Sequence, residues 1–153
     1  MRYVKPTSQN VSELMGMLYG LELETSESSP MDAPAYTATF VNPEGELVAA
    51  CLCDSEMVIY SGAALSMMPP GGAQDMVSEK EFTKSVLDNF HEVMNICTRL
   101  MMSNDSPHLK LDKVLPSAEV ESDLGSLKEA ATQAAFEIAI PRYGSGHIQF
   151  LAH

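Results

Sequence analysis

Residues 88–96 read D88-N-F-H-E-V-M-N-I96, and the division of their polar and apolar members decides how the chain around them folds. From Phe82 to Met101 the apolar residues are Phe82, Val86, Leu87, Phe90, Val93, Met94, Cys97, Leu100 and Met101. At about 3.6 residues per turn they gather on one broad face, which predicts a long amphipathic helix packed on a core. Asp88, Glu92, Asn95 and Arg99 follow one another at helical spacing and form a narrow polar stripe on the opposite side. Any solvated helix face looks much like this. Two details are less ordinary. Asp88 and Glu92 are like charges one turn apart, and Asn is a poorer helix former than Gln or Lys. Spacing alone leaves both a wet face and a working edge open.

Outward from this stretch, the helix is expected to start near Ser78, where S-E-K-E has the capping-box pattern. It should run to about Met102 and break at Ser-Asn-Asp-Ser-Pro. Upstream, residues 55–68 read as a helix capped by Asp54 or Ser55 and ended by the turn Pro69-Pro70-Gly71-Gly72. Residues 35–53 predict a β-hairpin, because AYTATFVN alternates, ELVAACLCD is a short apolar run, and Pro43-Glu44-Gly45 marks a turn between them. Residues 8–23 carry helical spacing with Ser8 or Asn10 as the cap, followed by a polar loop, ETSESSPMDAP. Downstream come a strand near 109–115, a polar stretch over 121–133 without a clear period, and a closing hairpin. FEIAIPR and GHIQFLA form that hairpin, joined through Tyr143-Gly144-Ser145.

Helices in blocks between antiparallel pairs predict an α+β fold rather than a doubly wound parallel sheet. A helix leading into paired strands occurs twice, and one domain over 1–153 is the simplest organisation. With 153 residues, 45% of them hydrophobic, such a domain can bury a substantial core.

Composition excludes several classes. The formal net charge of −12 repels phosphate backbones and anionic lipid, so neither nucleic acid nor a membrane surface is an expected partner. No apolar run approaches the roughly 20 residues of a transmembrane helix, and MRYVKPTSQN has no apolar segment of a secretion signal. Cys51 and Cys53 share one face of a strand while Cys97 falls on the apolar face of the helix, so reduced, buried thiols and a cytoplasmic location are expected. The eleven methionines point to an adaptable core, with an interaction surface as the alternative.

Other chemistries find little support. His91-Glu92 opens like a zincin helix, but Asn95 stands where the second His would have to be, so no metal site is expected. His108, His147 and His153 read as surface or loop residues. Pro69–Asp75 lacks the spacing of a phosphate loop and reads as a helix-ending turn, and Gly144-Ser145-Gly146 lacks the nucleophile-elbow pattern.

D88-x-x-x-E92-x-x-N95 resembles the helix signature D/S-x-x-x-E-x-x-N of the CheC/CheX/FliY family of bacterial chemotaxis phosphatases. GAALSMMPP before it, LKLDKVLPS after it, and the closing FEIAIPRYGSGHIQFLA are similar to the family's preceding helix and turn, following strand and final hairpin. The resemblance implies a CheC-like α+β fold: an antiparallel-rich sheet under long helices, in pseudo-two-fold helix–strand–strand halves. It implies hydrolysis of the aspartyl phosphate of a response-regulator receiver domain. Glu92 would pair with the receiver's lysine, Asn95 would orient the attacking water, and Asp88 would support the stripe or contact the partner. The protein would need no cofactor of its own, since the Mg²⁺ belongs to the receiver, and it would form a homodimer as CheX-like relatives do.

Two departures matter. Many family members have a small residue four positions after the motif Asn, where this chain has Arg99, a long cation that either blocks docking or meets the acidic receiver surface. The first helix reads Ser8-x-x-x-Ser12-x-x-Met15 where a second motif could sit, so one site, as in CheX-like members, is expected. A non-catalytic binding module of a chemotaxis or two-component system is the alternative, and a structural piece of a flagellar switch is a third.

Overall fold

A computed structural model describes residues 3–130 and 132–153. Readings that touch Met1, Arg2 or Ala131 lie at those positions outside the described residues. The chain builds α1 (Ser8–Tyr19), β1 (Glu24–Glu27), β2 (Tyr36–Val41), β3 (Leu47–Cys53), α2 (Ser55–Leu65) and α3 (Pro70–Glu79). It continues with α4 (Lys84–Cys97), β4 (Lys110–Pro116), α5 (Ser117–Leu124), β5 (Thr132–Ile140) and β6 (Gly144–Ala152). The six strands form one sheet in the order β1-β5-β6-β3-β2-β4, and every pairing is antiparallel.

The α+β expectation holds, and the sheet order makes the two-fold echo concrete. Exchanging β1 with β4, β2 with β5 and β3 with β6 turns the order into its own reverse. The axis therefore runs between β3 and β6, the pair in which Cys51 faces Phe150, and it exchanges α1 with α4.

Side-chain alternation along the strands separates the two faces of the sheet. Ala38, Phe40, Cys51, Cys53, Phe136, Ile138, Ile148 and Phe150 point towards the helices and join Val11, Met15, Met57, Phe90 and Met94 in the main core. Ala50, Leu52 and Leu151 point the other way, where Leu124, Leu127 and Ala130 cover them. Cys51, Cys53 and Cys97 are free and fully buried, and loss of hydration pushes all three thiols above their ordinary range.

α2 is the wedge of the helix layer. It is buried from Met57 to Ala64, and its neighbours come unusually close. A Cβ on Gly146 of β6 would lie 2.6 Å from the Met57 backbone, and one on Gly62 would lie 2.5 Å from the Val86 carbonyl oxygen of α4. These two glycines exist for backbone approach, and the Gly-Ser-Gly stretch lies in β6 rather than in a turn. Asp54 caps α2 by accepting the Met57 N–H at 2.8 Å, and it also accepts the His147 backbone N–H at 3.0 Å. Its second oxygen meets His147 Nδ1 at 2.9 Å, so His147 is a strand residue tied to the cap rather than a loose surface histidine.

Several boundaries differ from the sequence expectations. Thr7, not Ser8 or Asn10, caps α1, which stops at Tyr19 because Gly20 turns left-handed with φ 67°. Part of the polar loop 24–34 pairs as β1 with β5. Pro69–Gly72 does not merely end a helix; Pro70 begins α3, where a missing N–H does no harm. Ser78 lies inside α3, which ends at a left-handed Lys80, and Thr83 caps the motif helix through the Val86 N–H. That helix is therefore shorter, 14 residues ending at Cys97, with a 3-10 turn over Thr98–Leu100. The unplaced stretch 121–133 holds the end of α5, a 3-10 turn over Gly125–Glu129 and the start of β5.

Gly62→Ala should lower stability by about 1–3 kcal/mol, read from chemical denaturation, because α2 and α4 must move apart to admit the methyl group. Asp54→Ala should cost about 2–3 kcal/mol, since it removes a helix cap and leaves two groups of His147 without their acceptor.

Candidate functional site

α4 carries the strongest amphipathic pattern of the chain, and its burial follows the sequence reading. Val86, Phe90, Val93, Met94 and Cys97 are buried against α2 and the sheet. Asp88, Glu92 and Asn95 are exposed on the outer face, and Arg99 is exposed on the 3-10 turn that follows. All four predicted site residues thus reach solvent on one side of the molecule. Arg99 sits beyond the regular helix, on the 3-10 turn over Thr98–Leu100.

The stripe is not uniform. Asp88 Oδ2 receives a hydrogen bond from Lys84 Nζ at 2.7 Å, an ion pair one turn back along the helix. That hydrogen bond, and then the charge of Asp88, raises the Lys84 ammonium above its ordinary value. Among the described residues, Glu92, Asn95 and Arg99 make no side-chain hydrogen bond and no ion pair. The carboxylate and the amide one turn further on are therefore free to meet an external group.

Two flanks frame the stripe. On one side Asn89 Nδ2 donates to the Gly62 carbonyl and to Ser66 Oγ, both at 2.9 Å, which ties the α2–α3 connection to α4. The tip of that connection is Met67, left-handed at φ 54° and 84% exposed. On the other side a cavity of about 420 Å³ opens between α4 and the β2–β4 edge, lined by Tyr36, Leu87, Asp88, His91 and Val114. No side-chain period in the sequence announced that cavity, because it joins residues 36, 87 and 114 through the sheet. Among the described residues no group of three His, Cys, Asp or Glu could hold a metal ion.

α1 takes the place of α4 in the other half, and its buried residues are Val11, Met15 and Tyr19. Met15, the third position at which a second motif could sit, therefore belongs to the core. Glu13 lies on the exposed side of α1 and accepts a hydrogen bond from Gln9 Nε2 at 3.1 Å. No amide follows Glu13 within α1; three residues on stands Gly16, where a Cβ would come within 2.8 Å of the Leu21 carbonyl oxygen. Of these two helices, among the described residues, α4 alone carries a carboxylate followed one turn on by an amide. Met17, beside Gly16, is 81% exposed, so Met17 and Met67 depart from the methionine core that holds Met15, Met57, Met94 and Met101.

No family model and no curated protein matches this sequence. Solved structures do resemble its fold. FliM of H. pylori, in a FliM–SpeE complex, superposes with a TM-score of 0.66 at 11% identity, covering 95% of this chain and 80% of that one. FliY of Thermotoga maritima gives a TM-score of 0.52 at 8% identity, covering 97% and 84%. CheX of Desulfovibrio desulfuricans gives 0.50 at 8% identity, covering 93% of each chain. At such identities the likeness is one of fold. The chain has the CheC-like fold shared by CheX, FliY and the FliM middle domain.

Proposed function

We propose that this protein hydrolyses the aspartyl phosphate of a response-regulator receiver domain, with Glu92 and Asn95 as the working pair. The observation that carries this reading is that an exposed carboxylate and an exposed amide, both without intramolecular partners among the described residues, stand one turn apart on a helix held rigidly to the core.

The chemistry asks little of the protein beyond position. An acyl phosphate reacts with an in-line water once that water is held in place, and the receiver supplies the Mg²⁺. The Asn95 amide can accept a hydrogen bond from the water with its oxygen and donate with its nitrogen, adding no charge beside the phosphoryl oxygens. Glu92, one turn earlier, can pair with a cation of the receiver and set the register of the complex. The protein would bring a single such pair to the receiver, because no amide follows Glu13 within α1.

A second reading is a non-catalytic binding module. It draws on the FliM middle domains, whose structures include complexes with SpeE and with FliG, and on Arg99, which extends past the motif at the end of α4. In this reading α4 docks a receiver or another signalling protein without hydrolysis. A soluble protein working in the cytoplasm, alone or as a homodimer, suits either role.

Purified protein added to phosphorylated receivers should accelerate loss of the phosphoryl group, measured by radiolabel or by fluorescence of the receiver. Asn95→Ala should reduce that acceleration by about 100-fold, as expected for removing a preorganised polar contact to the reacting water. The same variant should be as stable as the parent or slightly more stable, because Ala is the better helix former at an exposed position. Undiminished acceleration in Asn95→Ala would remove Asn95 from the mechanism. If the parent binds a receiver without accelerating hydrolysis, the binding-module reading gains, and Arg99→Gly should then restore hydrolysis if Arg99 is the block.

A further inference from the structure

The cavity beside the motif has a chemistry of its own. Three apolar or aromatic side chains, Tyr36, Leu87 and Val114, share its lining with Asp88 and His91. The Tyr36 ring packs edge-on against Phe82 and Phe90, with ring centroids 5.1 Å and 6.5 Å apart, while Leu87 and Val114 form the facing surfaces. Asp88 and His91 complete the lining. An open cleft of aliphatic and aromatic surface with one carboxylate beside it matches a long side chain with an apolar stem and a cationic head. The volume of about 420 Å³ leaves room for such a side chain and for the backbone that carries it.

From this geometry we infer that the cleft between α4 and the β2–β4 edge receives a lysine or arginine side chain of the docked partner, with Asp88 as its counter-ion. The inference rests on the proposed receiver-directed function and deepens it: Asp88 sets which receivers dock, while Glu92 and Asn95 act on the phosphoryl site. Charge complementarity decides the occupant: Asp88 is the one carboxylate among the residues that line the cleft, in a chain whose net charge is −12, and no Lys or Arg lines it.

Lys84 already shows how the site is satisfied when nothing is docked. Its ammonium reaches Asp88 at 2.7 Å, yet its side chain is 89% exposed, and it does not line the cleft. An exposed pair of this kind is weak and salt-sensitive, so a cation delivered through the cleft, with its stem desolvated against Tyr36 and Leu87, displaces it readily. Lys84 is thus an internal competitor for Asp88. Removing it should strengthen docking, whereas removing Asp88 should weaken it.

The test pairs a receiver carrying beryllofluoride with a small probe. Against a receiver that the parent binds, Asp88→Asn should raise Kd about five- to tenfold, and Lys84→Ala should lower it about twofold. Independently, N-acetyl-lysine N-methylamide and its arginine counterpart, titrated into ¹⁵N-labelled protein, should shift the amides of Leu87, Asp88, His91 and Val114, and Asp88→Asn should abolish those shifts. If no receiver binds but the probe shifts appear, the receiver-directed function fails and the cation cleft stands. Absence of probe shifts, or a Kd unchanged by both Asp88→Asn and Lys84→Ala, overturns the inference. Preference for the arginine over the lysine probe identifies which head group the cleft takes.

Discussion

The close approach of α2 to α4 is the constraint on which the rest depends. With no side chain at Gly62, the Val86 carbonyl lies where a Cβ would stand, and the two helices pack with their backbones nearly touching. Asn89 locks the contact by donating to the Gly62 carbonyl. At this separation α4 has little freedom to roll. Phe90, Val93, Met94 and Cys97 must face inwards, so Asp88, Glu92 and Asn95 must face out. Gly146 holds the other side of α2 against β6 in the same manner, which connects the exposed stripe to the centre of the sheet through two glycine contacts. The working edge is precise because its inner side is close-packed.

The two-fold sheet explains how one fold carries two similar helices with unequal surfaces. α1 and α4 occupy equivalent places over the sheet, and each presents a carboxylate outwards, Glu13 and Glu92. They part at the next turn. Asn95 is exposed, whereas Gly16 lies under the Leu21 carbonyl, with no room for a side chain unless the chain after α1 moves. The asymmetry follows from how α1 ends, since the left-handed Gly20 folds the chain back across Gly16.

Much of this was legible in the sequence because it depends on local periodicity. The apolar face of α4, the outward placement of Asp88, Glu92 and Asn95, the hairpin over 36–53, and the Asp54 cap all follow from spacing and capping chemistry. What was not legible depends on partners distant in the chain. β1, ETSE, has no strand-like composition and is ordered by pairing with β5. The polar α5 buries Val120 and Leu124, with Leu124 meeting the far face of the sheet, and its Ser117 is tied to the distant Ala35 and Thr37 of the β2 end. The start of α4 was misplaced because Ser78 and Thr83 both satisfy a capping rule, and the left-handed Lys80 between them decides for Thr83. The cleft around Asp88 was invisible for the same reason, since Tyr36 and Val114 reach it through the sheet.

The account's central claim is that the outer face of α4 is the edge that meets a receiver domain. Hydrogen exchange of this protein, alone and with a beryllofluoride-loaded receiver that it binds, tests that claim most directly. Slowed exchange should concentrate on Asp88–Arg99, through the end of α4 and the turn after it, and on the neighbouring β4 edge around Val114, with α1 unchanged. Protection confined to α1, to α5 or to the β1 edge, with α4 exchanging as in the free protein, would contradict it.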